Sequence, residues 1–245
     1  MFGYLRLEVA RSVRDPRYIV LALAAPVGFY LLFSTLFGGP SAGPNAVTVQ
    51  VGLMVSMSVY GAMWAVLSAT GPRIAQDRSV GWLRQMRLLP VQSSSLLIAR
   101  LLAALVLVGP TIALVMLTAV VSRGIHLDAG QWITLVAVTW VGIIPIAVLG
   151  LAIGYATGAE AAFGVVYGLY TVLSALGGLW MPISIMPEGM QTFGKLLPSY
   201  RAADLGWHIA FGKALDYSSV LYLLAWSAVF AVIALYFSRR AVAAR

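Results

Sequence analysis

The sequence predicts an all-α, polytopic membrane protein with six transmembrane helices. Three observations carry this expectation. Apolar residues make up 61% of the 245 positions and charged residues only 10%, a composition foreign to soluble domains. Six apolar stretches, 18–37, 47–69, 97–121, 131–154, 161–180 and 218–237, approach the ~20 residues that a helix needs to cross ~30 Å of hydrocarbon. Finally, the charges sort by side. With the N-terminus inside, the inner segments hold Arg6, Arg11, Arg14, Arg17, Arg73, Arg78, Arg84, Arg87, Arg100, Arg239, Arg240 and Arg245, against Arg123, Lys195, Arg201 and Lys213 outside. The acids divide evenly, with Glu8, Asp15, Asp77 and Glu160 inside and Asp128, Glu188, Asp204 and Asp216 outside. The net charge of +8 therefore falls wholly on the inner face. Basic loops stay cytoplasmic, so both termini are expected there.

A chain of this length is expected to form a single membrane domain over 1–245. Its basic residues flank apolar spans on one face, so topology and lipid headgroups account for them and nucleic acid is not an expected partner. The absence of cysteine excludes disulfides and thiolate metal sites. Taking the elements in order, residues 1–17 place Phe2, Leu5, Val9 and Val13 on one helical face, the pattern of a helix lying in the membrane interface. Asp15-Pro16 ends that helix. The first span is read as uncleaved, since Ala22-Leu23-Ala24 is a weak cleavage match inside a long apolar run. A turn-rich loop over 38–45 follows. The second span carries Met57, Tyr60 and Trp64 at helical spacing, a stripe suited to packing or to apolar ligands.

Pro26, Pro110 and Pro145 mark kinks in spans one, three and four. Small residues at Gly150-x-x-x-Gly154-x-x-x-Gly158 and Gly164-x-x-x-Gly168 would permit close helix approach. The stretch 181–217 is semi-apolar, with Pro182, Pro187 and Pro198 and two short helical patterns near 188–197 and 200–213. Neither pattern can span, and both suit a re-entrant hairpin in the outer leaflet with prolines at its corners.

The chemistry that is missing is informative. The spans contain no acid, and their one charge, Arg100, is close enough to the inner end to snorkel. Ion-coupled carriers usually place titratable groups at membrane depth. His126 with Asp128 does not make a metal site, and His208 with Asp204 reads as an i, i+4 surface hydrogen bond. Gly189 to Lys195 has Walker-like spacing, but Leu196 stands where a hydroxyl should bind magnesium. No catalytic residue, metal or cofactor is therefore expected on this chain, which is not read as an enzyme. Energy for any transport must come from another subunit.

The inner segment 71–96 is the one sizeable cytoplasmic loop. Gly71-Pro72 opens it, Pro90 closes it, and Ser93 to Ser95 suit the start of the helix that re-enters the membrane. Between them Asp77, Arg78, Arg84 and Arg87 are interleaved with Trp82, Leu83 and Met86, a short amphipathic run that a partner's groove could read. A purely topogenic basic loop would look the same.

Here the chain resembles the permease subunits of ABC-2 type exporters, especially small permeases of actinobacterial drug- and antibiotic-resistance transporters. The resemblance rests on Tyr4 to Glu8 with Arg14 to Arg17, on Ile74 to Arg78 with Gly81 to Gln85 and Arg87 to Pro90, and on Gly177 to Pro182 with Met186-Pro187 and Leu197 to Tyr200. It implies a permease that pairs with a second copy as a homodimer and binds two ATP-binding subunits, which would hold the ATP and magnesium. It further implies that Asp77, Arg78, Gly81, Trp82, Leu83, Arg84 and Arg87 face the ATPase. Met57, Tyr60, Trp64, Tyr167, Tyr170 and Ser174 would contact substrate where the second and fifth helices line the path. Pro182, Pro187, Pro198 and Tyr200 would shape the outer re-entrant segment. The expected function is ATP-driven export of a hydrophobic or amphipathic drug, antibiotic or lipid-like molecule across the bacterial plasma membrane by alternating access. Membrane lipids are expected as its surroundings and partners. A membrane sensing or assembly protein that binds partners without transport is the alternative.

Overall fold

Six helices long and apolar enough to cross a bilayer appear in the computed structural model, which describes residues 10, 14–39, 45–81 and 93–243. They are Ile19–Leu36, Ala46–Ser79, Ile98–Arg123, Ala129–Ala156, Ala159–Leu176 and Tyr217–Arg240. No strand occurs among the described residues. The interfacial helix expected over 1–17 falls almost entirely outside them. Successive spans alternate in direction, so Asp15, Ser79, Ser93, Ala156, Ala159 and Arg240 share one end of the bundle, called here the basic end.

Proline shapes three spans as expected, each time in a different way. The first span begins as α1 (Pro16–Tyr18), widens into a π-helical turn (Ile19–Ala24) and continues as α2 (Ala25–Leu36). Pro26 has no N–H to give Ala22, and the Ala25 N–H reaches back five residues to Val20 O. Gly61 of α3 (Ala46–Ser79) receives this widened turn: a Cβ there would lie 2.7 Å from Pro26 Cγ and 2.9 Å from Ala22 O. The third span breaks at Leu107 into α4 (Ser93–Val106) and α5 (Val108–Arg123), three residues before Pro110. The fourth breaks at Ile143 into α6 (Ala129–Gly142) and α7 (Ile144–Ala156), two residues before Pro145. Carbonyls at the first break are recovered by neighbours. Tyr18 donates to Leu107 O at 2.8 Å and the Trp140 indole to Leu105 O at 2.7 Å, as backbone freed in lipid requires.

The second span, α3, is the axis of the bundle. Its most apolar window is 89% buried, against 11% for the last span; the second span is the less apolar of the two, and its small and hydroxyl residues suit packing against helices more than contact with lipid. It also corrects the expected loop boundary. Gly71-Pro72 does not open a loop: α3 runs through both residues to Ser79, about 51 Å in all at the standard rise. Gly81, at φ +75°, ends that course. Helix continues past Pro72 because close packing holds it there. A Cβ on Gly150 would overlap Thr70 Oγ1, and one on Gly154 would lie 2.7 Å from both Gly71 O and Ile74 Cβ. The Gly150-x-x-x-Gly154 spacing is thus the seam between α7 and α3. Gly158, Gly164 and Gly168 have no neighbour within 4 Å of a notional Cβ, so their spacing serves no contact within the described residues. The last two lie on the exposed side of α8 (Ala159–Leu176).

The connection between spans five and six holds a 3-10 turn (Ile183–Ile185), α9 (Glu188–Gly194) and α10 (Pro198–Ala210) before α11 (Tyr217–Ala243). Pro182 and Pro187 immediately precede the first two, and Pro198 opens the third. Only α10 inserts into the bundle. It packs among α3, α6 and α11, its Trp207 indole donates to Gly52 O at 3.0 Å, and its Ala202 meets Gly142, midway along the fourth span. α9 stays largely at the surface, with Met190 and Phe193 exposed. Its helical course also removes the Walker-like reading of Gly189 to Lys195, because helical backbone cannot wrap a phosphate as a glycine-rich loop does.

Candidate functional site

At the basic end, the last two turns of α3 tie three other spans together. Asp77 forms a buried ion pair with Arg100 of α4, and both residues are about 5% exposed. Arg100 was expected to snorkel; it turns inward instead, because a carboxylate waits there and a buried guanidinium without one would be costly. The next residue, Arg78, donates through Nη1 to Gly154 O at 2.9 Å and Tyr155 O at 2.6 Å, with Thr157 O at 3.4 Å. These are the terminal carbonyls of α7, which lack helical partners and form the negative end of the helix dipole. Arg73 lies 3.9 Å from Asp15, just before the first span.

Among the residues expected to face an ATPase, Asp77 is thus buried against Arg100 and Arg78 is half-buried against α7, while Gly81 ends the described part of the segment. Trp82, Leu83, Arg84 and Arg87 lie outside the described residues. The role of Arg100 as the partner of Asp77 escaped the sequence reading. Its signal was present, a lone arginine in an apolar span within reach of a lone acid at the end of the preceding one.

The residues expected along the path do come together, as a packed aromatic column. Tyr60 and Tyr170 stack with centroids 4.7 Å apart. Trp64 stands edge-on to Tyr170 at 5.2 Å, to Phe163 at 5.9 Å and to Tyr167 at 6.1 Å. Phe29 of the first span and Trp180 close on Tyr60 at 5.8 and 6.0 Å. Met57, Tyr60, Trp64, Tyr170 and Ser174 are buried, whereas Tyr167 is 48% exposed on the outward side of α8. Ser174 donates to Tyr170 O at 2.6 Å and so spends its hydroxyl on its own helix. Phe29, Phe163 and Trp180 join this group without having been singled out. Phe29 lies on the first span, where no spacing relates it to the others, whereas Phe163 precedes Tyr167 by four residues on α8 and its helical register was the signal that could have found it. In this conformation the column is solid.

At the far end, α10 is latched to the start of α11. Ser219 Oγ lies between Asp204 Oδ2 at 2.7 Å and Asp216 Oδ2 at 2.8 Å, and Arg201 Nη1 donates to it at 3.2 Å. The Arg201 guanidinium also stacks on Tyr222 at 4.1 Å. Asp216 accepts from the Ser218 and Ser219 backbone N–H groups, each at 3.1 Å, and so caps α11. The hydrogen bond from the Ser218 hydroxyl, against the opposing effect of burial and with further bonds from Ser219 and the two backbone N–H groups, holds its carboxyl well below the usual carboxylate range. His208 Nδ1 meets its own helix at Asp204 O, 2.9 Å away. Pro198 is buried at the corner into α10, Pro182 and Pro187 are exposed, and Tyr200 stands edge-on to Trp207 at 5.5 Å.

Comparison with known proteins agrees with this architecture. The profile of the family described as "ABC-2 type transporter" matches residues 4–211. The chain is also 28% identical over 235 residues to a Bacillus subtilis (strain 168) protein named "Putative transport permease YvfS", covering 95% of this chain and 94% of that one. With six apolar spans, the second buried among the others, and the family profile covering most of its length, the chain belongs to the ABC-2 type transporters, as a multi-pass membrane subunit of an ABC transporter.

Proposed function

We propose that this subunit is the permease of an ATP-driven exporter, working as a homodimer with two ATP-binding subunits that hold ATP and magnesium. It moves a hydrophobic or amphipathic drug, antibiotic or lipid-like molecule outward across the bacterial plasma membrane by alternating access. Both termini and the basic end lie in the cytoplasm, in keeping with the charge asymmetry. The observation that carries this reading is the family match across residues 4–211, joined to a basic end where the segment after Gly81 leaves α3 and returns as α4. Trp82, Leu83, Arg84 and Arg87 dock on the ATPase, and Asp77, Arg78 and Gly81 hold the root of that segment. The second copy packs on the outward side of α8, where Gly164 and Gly168 permit close approach.

The aromatic column is the closed path. Opening separates Tyr60 and Trp64 from Tyr170, and the lining then exposed is apolar with a few hydroxyl and indole donors, suited to amphipathic cargo. The test is purification from native membranes in mild detergent. An ATP-binding subunit should accompany the wild-type chain in equal amount and be lost from the Arg84→Glu/Arg87→Glu variant. A chain that purifies alone and shows no nucleotide-dependent activity in those membranes would overturn the exporter reading.

A further inference from the structure

We propose that Asp77, Arg78 and Arg100 are positioning residues that clamp the basic ends of the second, third and fourth spans into one lever, so that force on residues 82–92 reaches all three spans together. This rests on the exporter reading, in which that segment receives the push. The geometry is specific. The segment leaves α3 just past Ser79 and re-enters as α4 at Ser93. Asp77 and Arg100 stand on either side of that exit and return, and their ion pair closes the root of the loop. Arg78 carries the same root across to the fourth span through the terminal carbonyls of α7. Gly81, with its left-handed backbone, then turns the chain away immediately beyond the clamp.

Stability alone explains such a pair poorly. Two charges withdrawn from water are seldom better than apolar side chains of the same volume, whereas they do fix which helix faces which. A connection joined to its spans only through backbone would bend under load. Closed by the pair and by Arg78, its two feet and the end of α7 move as a unit.

The absence of native cysteine allows spin labels at chosen sites. In the complex co-purified with its ATPase, labels at Val47 and Tyr217, both exposed, report movement at the far end on adding Mg-ATP and vanadate. Wild type should show a nucleotide-dependent distance change there. Asp77→Asn and Arg100→Gln should keep the ATPase bound and hydrolysing at near wild-type rate, while the shifted population falls about tenfold. The reversed pair Asp77→Arg/Arg100→Asp should recover it. A far-end shift that survives in the single variants, or a loss that the reversed pair does not recover, overturns the proposal.

A second pair of labels, Ser79 with Ile98 in the permease alone, separates this inference from the exporter reading. The clamp predicts a narrow distance distribution that Arg100→Gln broadens. If no ATPase accompanies the wild type, the exporter reading falls; a Ser79–Ile98 distribution indifferent to Arg100→Gln would sink the clamp in either case.

Discussion

Removing one partner of a buried ion pair leaves the other charged and unmatched, which ordinarily costs ~3–5 kcal/mol. Asp77→Asn and Arg100→Met are therefore each expected to lower the unfolding temperature in detergent markedly. The joint change Asp77→Leu/Arg100→Met should return close to wild type, because replacing both charges by apolar groups is often neutral. Thermal unfolding of the three variants checks this. At the other end of the bundle, Asp216 caps α11 with a carboxyl held below its usual range. A depressed carboxyl contributes stability that is fully present above its unfolded value of about 4 and is lost as pH falls through the folded value. Asp216→Ala should cost about 1 kcal/mol at neutral pH. It should also flatten the acid limb of the stability profile, which melting between neutral and acid pH would read.

Between elements, the contacts that matter most are the ones with no room to spare. A side chain at Gly150 would have to occupy the space of Thr70, and one at Gly154 that of the Gly71 carbonyl and Ile74. Gly150→Val is expected to force α7 off α3 and to destabilise by at least ~1–3 kcal/mol, whereas Gly158→Ala, with open space around it, should be tolerated. Comparing the two melting temperatures tests whether the seam is steric. The break between α4 and α5 offers a second check. Tyr18→Phe removes the donor to Leu107 O and should cost about 1 kcal/mol, with more rapid amide exchange around Leu107. The proline positions announced all three interruptions, yet they did not say which side chains would recover the carbonyls, because Tyr18 and Trp140 reach across from other helices.

At the scale of the whole molecule, the charge asymmetry predicts that the basic end faces the cytoplasm. Lys195 and Arg239 are both exposed, at opposite ends. Applied to intact cells, a membrane-impermeant thiol reagent should label Lys195→Cys and leave Arg239→Cys unmodified until the membrane is opened. The reverse pattern would invert the topology. Six spans, the proline breaks and the two helices between the last spans were all legible in the residues. Each depends on local composition, on the length of an apolar run or on a missing N–H.

The sequence by itself determined class, span number, kink positions and the family resemblance, because the bilayer and the backbone constrain each segment independently of its neighbours. Only the tertiary structure decided that α3 passes through Gly71-Pro72 to Ser79, since the packing of α7, the ion pair of Asp77 with Arg100 and the bonds of Arg78 to the end of α7 outweigh a local signal to stop. Likewise it decided that Arg100 faces inward, that α10 inserts while α9 does not, and that aromatics from three spans form one column. Each of these outcomes depends on a partner distant along the chain, whose proximity no local pattern encodes.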